Sequence, residues 1–260
     1  MFDTLEGLIA QIKKDRPVIL NLTNTVTMDF IANGLLALGA SPIMTQSQAE
    51  LACLLEIADA LVINLGTLNA DFIALCEKAC LIANQMGKPI VFDPVGAGAS
   101  KLRTDTALHF LARFQFAAIR ANASEIMALS CAKTNAKGVD STANTDDALS
   151  AGSALSQQVN TLIAMSGKKD VLFQGLKQET IDRGSALMPL VTGSGCLLTA
   201  VTAAFLTVDK DALCAASIAH LFYSVCGELA AAHATGPGTF KVHFIDALAT
   251  TPKRGDYELN

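Results

Sequence analysis

The chain has 260 residues, 51% of them hydrophobic and 17% charged, with a formal net charge of −5. This length and composition exclude a disordered chain and suffice for one large core, so the expected organisation is a single domain over residues 1–260. No run of Lys and Arg offsets the negative balance, which argues against nucleic acid as a partner, since a phosphate backbone demands clustered cationic charge.

In chain order, Leu5, Leu8, Ile9 and Ile12 mark one face of a helix within residues 1–16. Asp3 and Glu6 at its start are unlike the cationic head of a signal peptide. Short β-type runs then alternate with helical periodicity: Val18 to Leu20, Phe30 to Leu38, Ile43-Met44, Leu61 to Ile63, Phe72 to Met86 and Ile90 to Phe92. The rhythm continues through Ala118-Ile119, a helix from about Ser124, a polar stretch from about Lys133 to Asp146, a helix to Gln157, and Leu162 to Ala164. Such alternation predicts an α/β fold, a mainly parallel central sheet flanked by helices on both faces. Val171 to Phe173, Glu179 to Asp182 and Ala186 to Leu190 follow too closely for helical crossovers and predict an antiparallel edge. Helices are expected to start near Gly195, Asp209 and Gly238. The apolar stretch Ala212 to Val225 contains His220 and Tyr223. It is shorter than the ~18 uninterrupted apolar residues of a membrane span, so it reads as a buried helix and no membrane partner is expected. The seven cysteines form no CxxC pair, pointing to reduced thiols and a cytoplasmic location. Cys76 and Cys80 share a helix face without a neighbouring ligand and read as core.

Three segments carry candidate chemistry. Val191-Thr192-Gly193-Ser194-Gly195-Cys196 opens a helix, where glycines allow close approach and free N–H groups with the helix dipole favour anionic groups; Gly193, Ser194, Gly195 and Cys196 thus form a candidate anion hole. Phe92 to Gly98 puts Asp93 at the carboxyl end of a buried strand, where open α/β sheets bind ligands and a hard oxygen can hold magnesium. Ile119 to Glu125 supplies Arg120, a fork of donors for phosphate, and Glu125, a second carboxylate toward the metal. Each has a plainer reading: a glycine turn, a cap residue, a surface ion pair, a first-turn carboxylate against the dipole. Neither a GxxxxGK[ST] loop nor a complete GxGxxG, HExxH or GxSxG occurs, so Walker and dinucleotide-type phosphate sites are excluded. His109, His220, His233 and His243 are scattered without ligand spacing and read as structural or surface residues.

Asn21-Leu22-Thr23-Asn24, with the run from Met28 to Met44, resembles the N-terminal signature of the hydroxyethylthiazole kinases. The segments at Asp93 to Gly98, Arg120 to Glu125, Val191 to Cys196 and Gly236-Pro237-Gly238 resemble the same family in order and spacing. The resemblance implies a ribokinase-like fold and transfer of the ATP γ-phosphoryl group to 4-methyl-5-(2-hydroxyethyl)thiazole, with Mg2+, in thiamin biosynthesis. It also implies a homotrimer with active sites between subunits. Carried over residue by residue, Met44 and Gly193 contact the thiazole, Asn24 lines its pocket, Arg120 and Ser166 contact ATP, and Asp93 with Glu125 organises magnesium. Ser166 stands where the family often has Thr, and Ala121 where Gly is common. Cys196 occupies the place where other ribokinase-like kinases carry an Asp base. Two readings stand for it: a thiolate base at a helix N-terminus, or a small buried side chain. Alternatives to a thiazole kinase are a hydroxymethylpyrimidine or pyridoxal kinase, a repair dehydratase of the same fold, and a binder that has lost turnover.

Overall fold

The computed structural model describes residues 2–133, 145–253 and 255. Thus most of the polar stretch expected from about Lys133 to Asp146 lies outside the described residues. Six strands alternate with helices in the order α1 (Phe2–Asp15), β1 (Val18–Leu22), α2 (Met28–Leu38), β2 (Ser41–Met44), α3 (Leu51–Ile57), β3 (Ala60–Asn64), α4 (Ala70–Gln85), β4 (Ile90–Asp93), α5 (Lys101–Arg113), β5 (Ala118–Asn122), α6 (Ala123–Lys133), α7 (Thr145–Val159) and β6 (Leu162–Ser166). A hairpin of β7 (Asp170–Gln174) and β8 (Lys177–Ile181) follows, then α8 (Ser194–Leu206), α9 (Ala212–His233) and α10 (Pro237–Ala249).

The strands form one eight-stranded sheet in the order β2-β1-β3-β4-β5-β6-β7-β8. β1 to β6 are parallel, and β7 and β8 are antiparallel to their neighbours. Alternating side chains divide the core into two layers. Ile19, Val62, Val91, Ala118 and Leu172 pack with α1, α2, α8, α9 and α10. Leu20, Leu61, Ile63, Phe92 and Ile163 face the opposite layer of α3 to α7, which includes Cys76 and Cys80. Both edges are polar or interrupted: Pro42 sits in β2, and β8 exposes Lys177 to Thr180, features that discourage further strand pairing.

One expected strand is absent. Ala186 to Leu190 forms a loop closed by a 3-10 turn at Met188–Leu190, so the antiparallel edge has two strands and the glycine motif follows a turn. Pro189 explains this: it has no N–H for a ladder, while its fixed φ suits a first helical turn. Gly184, at φ +123, bends the chain away from the sheet just before it.

Among the described residues, α9 alone is long and apolar enough to cross a membrane, and 78% of its most apolar window is buried inside the fold. It lies against α8 and α10, and Tyr223 meets Phe244 edge-on at 4.8 Å between ring centroids. The placement is that of a core helix, as its sequence predicts.

Candidate active site

The chain leaves β1 toward β2 on one side of the sheet and returns to β3 on the other, placing a topological switch between β1 and β3. In open α/β sheets ligands bind at such a switch, outside the carboxyl ends of the strands. Residues from four strand ends and the start of α8 meet around it.

Asp93 closes β4 and is fully buried. Its Oδ2 accepts from Asn64 Nδ2 at 2.8 Å and from Thr199 Oγ1 at 2.7 Å, and lies 3.6 Å from Arg120 Nη1. Its Oδ1 is buried with no hydrogen-bond partner among the described residues. Burial pushes the Asp93 pKa up, while Arg120 and the two hydroxyl and amide donors pull against that rise. Arg120, from β5, also donates through Nη2 to Ser166 Oγ at the end of β6. Its side chain is 11% exposed, so it is no surface ion pair. It lies directly beneath the glycine motif: a Cβ on Gly195 would come within 2.8 Å of Nη1. Gly193, the N-cap of α8, has φ +89, and a Cβ there would sit 2.6 Å from Thr27 Cγ2.

Glu125 lies in the first turn of α6. Its Oε2 accepts from Asn122 N at 2.9 Å while Asn122 Oδ1 accepts from Glu125 N at 2.9 Å, a reciprocal capping box. Oε1 reaches across to Gly96 N at 2.7 Å, tying the loop after β4 to α6. Burial raises its pKa, and the nearby Asp93 charge adds to the rise against the two N–H donors. The first-turn reading of Glu125 is therefore realised together with its place beside Asp93.

On the other side of Asp93, Asn24 Nδ2 donates to Asn64 Oδ1 at 2.9 Å and to Cys196 Sγ at 3.4 Å, and Asn24 Oδ1 accepts from Thr27 Oγ1 at 3.0 Å. Asn24 is 3% exposed, so its amide serves to orient Cys196 and Asn64. Burial and the Asp93 charge push the Cys196 pKa up. Both favour the thiol over the thiolate, against the pull of the helix N-terminus. Met44, at the end of the edge strand β2, is half-buried against the core.

Sequence reasoning missed Asn64, Thr199 and Arg103. Asn64 pairs in register with Asp93 and closes the apolar run Leu61 to Ile63 as Asp93 closes Ile90 to Phe92, a parallel that was open to the eye. Thr199 gave no local signal inside an apolar helix. Arg103 donates to the carbonyls of Leu65 and Val95 at 2.7 Å each and of Gly66 at 2.8 Å, strapping together the loops after β3 and β4.

The hydroxyethylthiazole kinase family model matches residues 9–254. The chain belongs to the hydroxyethylthiazole kinase family. A curated relative of that name from Brachyspira hyodysenteriae is 45% identical over 240 residues, spanning 92% of this chain and 90% of that protein. The solved structure of hydroxyethylthiazole kinase protein from Pyrococcus horikoshii has a TM-score of 0.88 at 36% identity, covering 95% of this chain and 93% of that one. A ribokinase-like superfamily protein from Enterococcus faecalis shares the fold at 14% identity and TM-score 0.66, over 95% of each chain. For a hydroxyethylthiazole kinase family member, the cluster of Asp93, Arg120, Glu125, Ser166 and the start of α8 is the candidate active site. Asn24, Cys196 and Gly193 border the same cluster on the side of β1 and α2. Of the four histidines, none joins it: His109 pairs with Glu77 at 2.6 Å, His220 with Asp170 at 2.6 Å, and the rings of His233 and His243 lie 6.0 Å apart.

Proposed function

We propose that this protein transfers the γ-phosphoryl group of ATP to the hydroxyl of 4-methyl-5-(2-hydroxyethyl)thiazole, giving the thiazole phosphate used in thiamin biosynthesis. Family membership carries the reaction, and the buried Asp93–Arg120 pair beneath the glycine-rich start of α8 carries its location. Phosphoryl transfer through a loose transition state depends on positioning and charge stabilisation. The free N–H groups at the start of α8 face the transferring group, and Arg120 with Ser166 holds the nucleotide phosphates.

The residues fit a magnesium ion: Asp93 Oδ1 is a buried acceptor without a partner among the described residues, and Glu125 is the neighbouring carboxylate. Among the described residues no three His, Cys, Asp or Glu side chains form a complete ligand set. That suits Mg2+, which keeps waters and takes phosphate oxygens beside one or two carboxylates. When bound, it neutralises charge on the phosphates. Asn64 and Thr199 donate to Asp93 Oδ2 and aim it, and Cys196 faces the reacting hydroxyl with its thiol oriented by Asn24. Met44 and Gly193 contact the thiazole. The half-buried Met44 on an edge strand supports a pocket completed by a neighbouring subunit in a homotrimer, and seven cysteines with no CxxC spacing support a cytoplasmic enzyme.

The test is ADP formation with Mg-ATP and hydroxyethylthiazole, hydroxymethylpyrimidine, pyridoxal or no acceptor, with mass detection of product. Turnover confined to the thiazole, yielding its monophosphate, is expected; turnover on another acceptor rejects the substrate assignment. Asp93→Asn combined with Glu125→Gln should abolish turnover while thiazole binding, followed by calorimetry, stays within about threefold. Equal loss of both would remove the metal role.

A further inference from the structure

The core helix α9 buries fifteen residues, and most are apolar. A buried imidazole and phenol there are costly unless their polar atoms are matched, so their partners are informative. His220 is fully buried, and its Nδ1 lies 2.6 Å from Asp170 Oδ2. Asp170 Oδ1 in turn accepts from Gly167 N at 3.0 Å. Gly167 follows Ser166, whose hydroxyl receives Arg120 Nη2. Less than one helical turn beyond His220, Tyr223 donates from its hydroxyl to Ser194 O at 2.6 Å, at the opening of α8. His220 Nε2 has no hydrogen-bond partner among the described residues. The polar function of the ring is therefore carried by Nδ1 alone, toward the β6–β7 turn.

We propose that His220 and Tyr223 form a polar ladder on α9 that fixes the two loops facing the nucleotide, with His220 a positioning residue for ATP through Asp170 and the Gly167 amide. The inference rests on the reading above that Arg120 and Ser166 form the nucleotide side. The ladder sets the turn from Ser166 to Lys169 against the guanidinium, and Tyr223 sets the first carbonyl of α8 that orients its N–H groups. Without His220, Asp170 is free to rotate and the Gly167 amide loses its acceptor. The serine hydroxyl then drifts from Arg120. The thiazole side, held by Asn24 and Asn64, is untouched.

The experiment is steady-state kinetics of the full chain with each substrate varied in turn, beside thermal melting. His220→Leu should raise KM for ATP about tenfold and leave KM for the thiazole within about twofold, as expected for a misplacement confined to one side of the site. His220→Asn, which keeps a donor near the Nδ1 position, should restore most of the ATP affinity. If His220→Leu does not fold, Asp170→Asn carries the same expectation. Tyr223→Phe should lower kcat with both KM values unchanged. A fall in Tm with no change in KM for ATP, an equal rise in both KM values, or a failure of His220→Asn to restore affinity would each overturn the proposal. Ser166→Ala separates the two levels. If it leaves KM for ATP unmoved, the nucleotide-side reading fails and the ladder falls with it. If it raises KM for ATP and His220→Leu does not, the ladder alone fails.

Discussion

In the proposed site Cys196 stands where related kinases carry a carboxylate base, and burial with the neighbouring Asp93 favours its thiol form. A neutral thiol accepts protons poorly, so Cys196→Ala should slow kcat by less than about tenfold, well short of the ~100-fold expected on losing a positioned base. Cys196→Asp should remain active, since Asn24 Nδ2, 3.4 Å from Sγ, can donate to the new carboxylate. A folded but inactive Cys196→Asp would count against placing this residue at the reacting hydroxyl. Gly193 is the opposite case, a residue whose lack of a side chain matters. At φ +89, with Thr27 Cγ2 2.6 Å from any Cβ, Gly193→Ala should cost more than about 1 kcal/mol and lower Tm by at least about 2 °C. An unchanged melt would show that Thr27 can yield. Residues that announce themselves by motif, such as Asp93 and Gly193, were legible in the sequence. Thr199 was not, because a hydroxyl on an apolar helix becomes functional only when a distant strand end is brought 2.7 Å away.

At the scale of elements, the loops after β3 and β4 depend on one side chain. Arg103 reaches three carbonyls, and lysine has the charge but lacks the planar fork to bridge them. Arg103→Lys should therefore destabilise by about 2 kcal/mol, the scale of hydrogen bonds to charged groups, measured by urea denaturation. It should also raise the Mg2+ concentration needed for half-maximal activity, because the same loop presents Gly96 N to Glu125. Stability equal to the parent would dismiss the strap. The parallel strands could be read from the sequence because strands buried on both faces are short, unbroken apolar runs. Ala186 to Leu190 shows the limit of that rule. Its composition is strand-like, but Pro189 and the left-handed Gly184 decide the backbone, and side-chain hydrophobicity does not report on either. The helix α5 was missed for a related reason: its polar composition, KLRTDTALHFLAR, hides a buried face of Thr106, Ala107, Phe110 and Leu111.

Among the described residues, buried and half-buried carboxylates set the response to acid. Burial alone would raise the Asp170 pKa, but His220 and the Gly167 amide outweigh it and hold the group below its ordinary value. Burial also opposes Arg183 and the Gly184 amide at Glu228, which is likewise held low. A depressed folded pKa contributes stability that is present above the unfolded value, about 3.9 for Asp and 4.3 for Glu, and is lost as pH falls through the folded value. Asp93 and Glu125, both raised, contribute with the opposite sign, favouring the folded chain in acid and losing that share as pH rises through their folded values. Denaturation midpoints should thus drop below about pH 4, and Asp170→Asn should give a lower but flatter profile there. An equally steep drop in that variant would assign the acid limb to other groups.

The core helix α9 also bears on synthesis. α9 satisfies the length and hydropathy of a membrane span and escapes that fate only through the partners that cover it. It follows β1 to β8 and α8 in the chain, so the surface it packs on can form before it emerges from the ribosome. Its far side, however, waits for Phe240 and Phe244 of α10. Until they arrive, a nascent chain displays an apolar seam open to chaperones, membranes and other chains. The order of elements keeps that interval short, and any chain broken off after α9 would make it permanent.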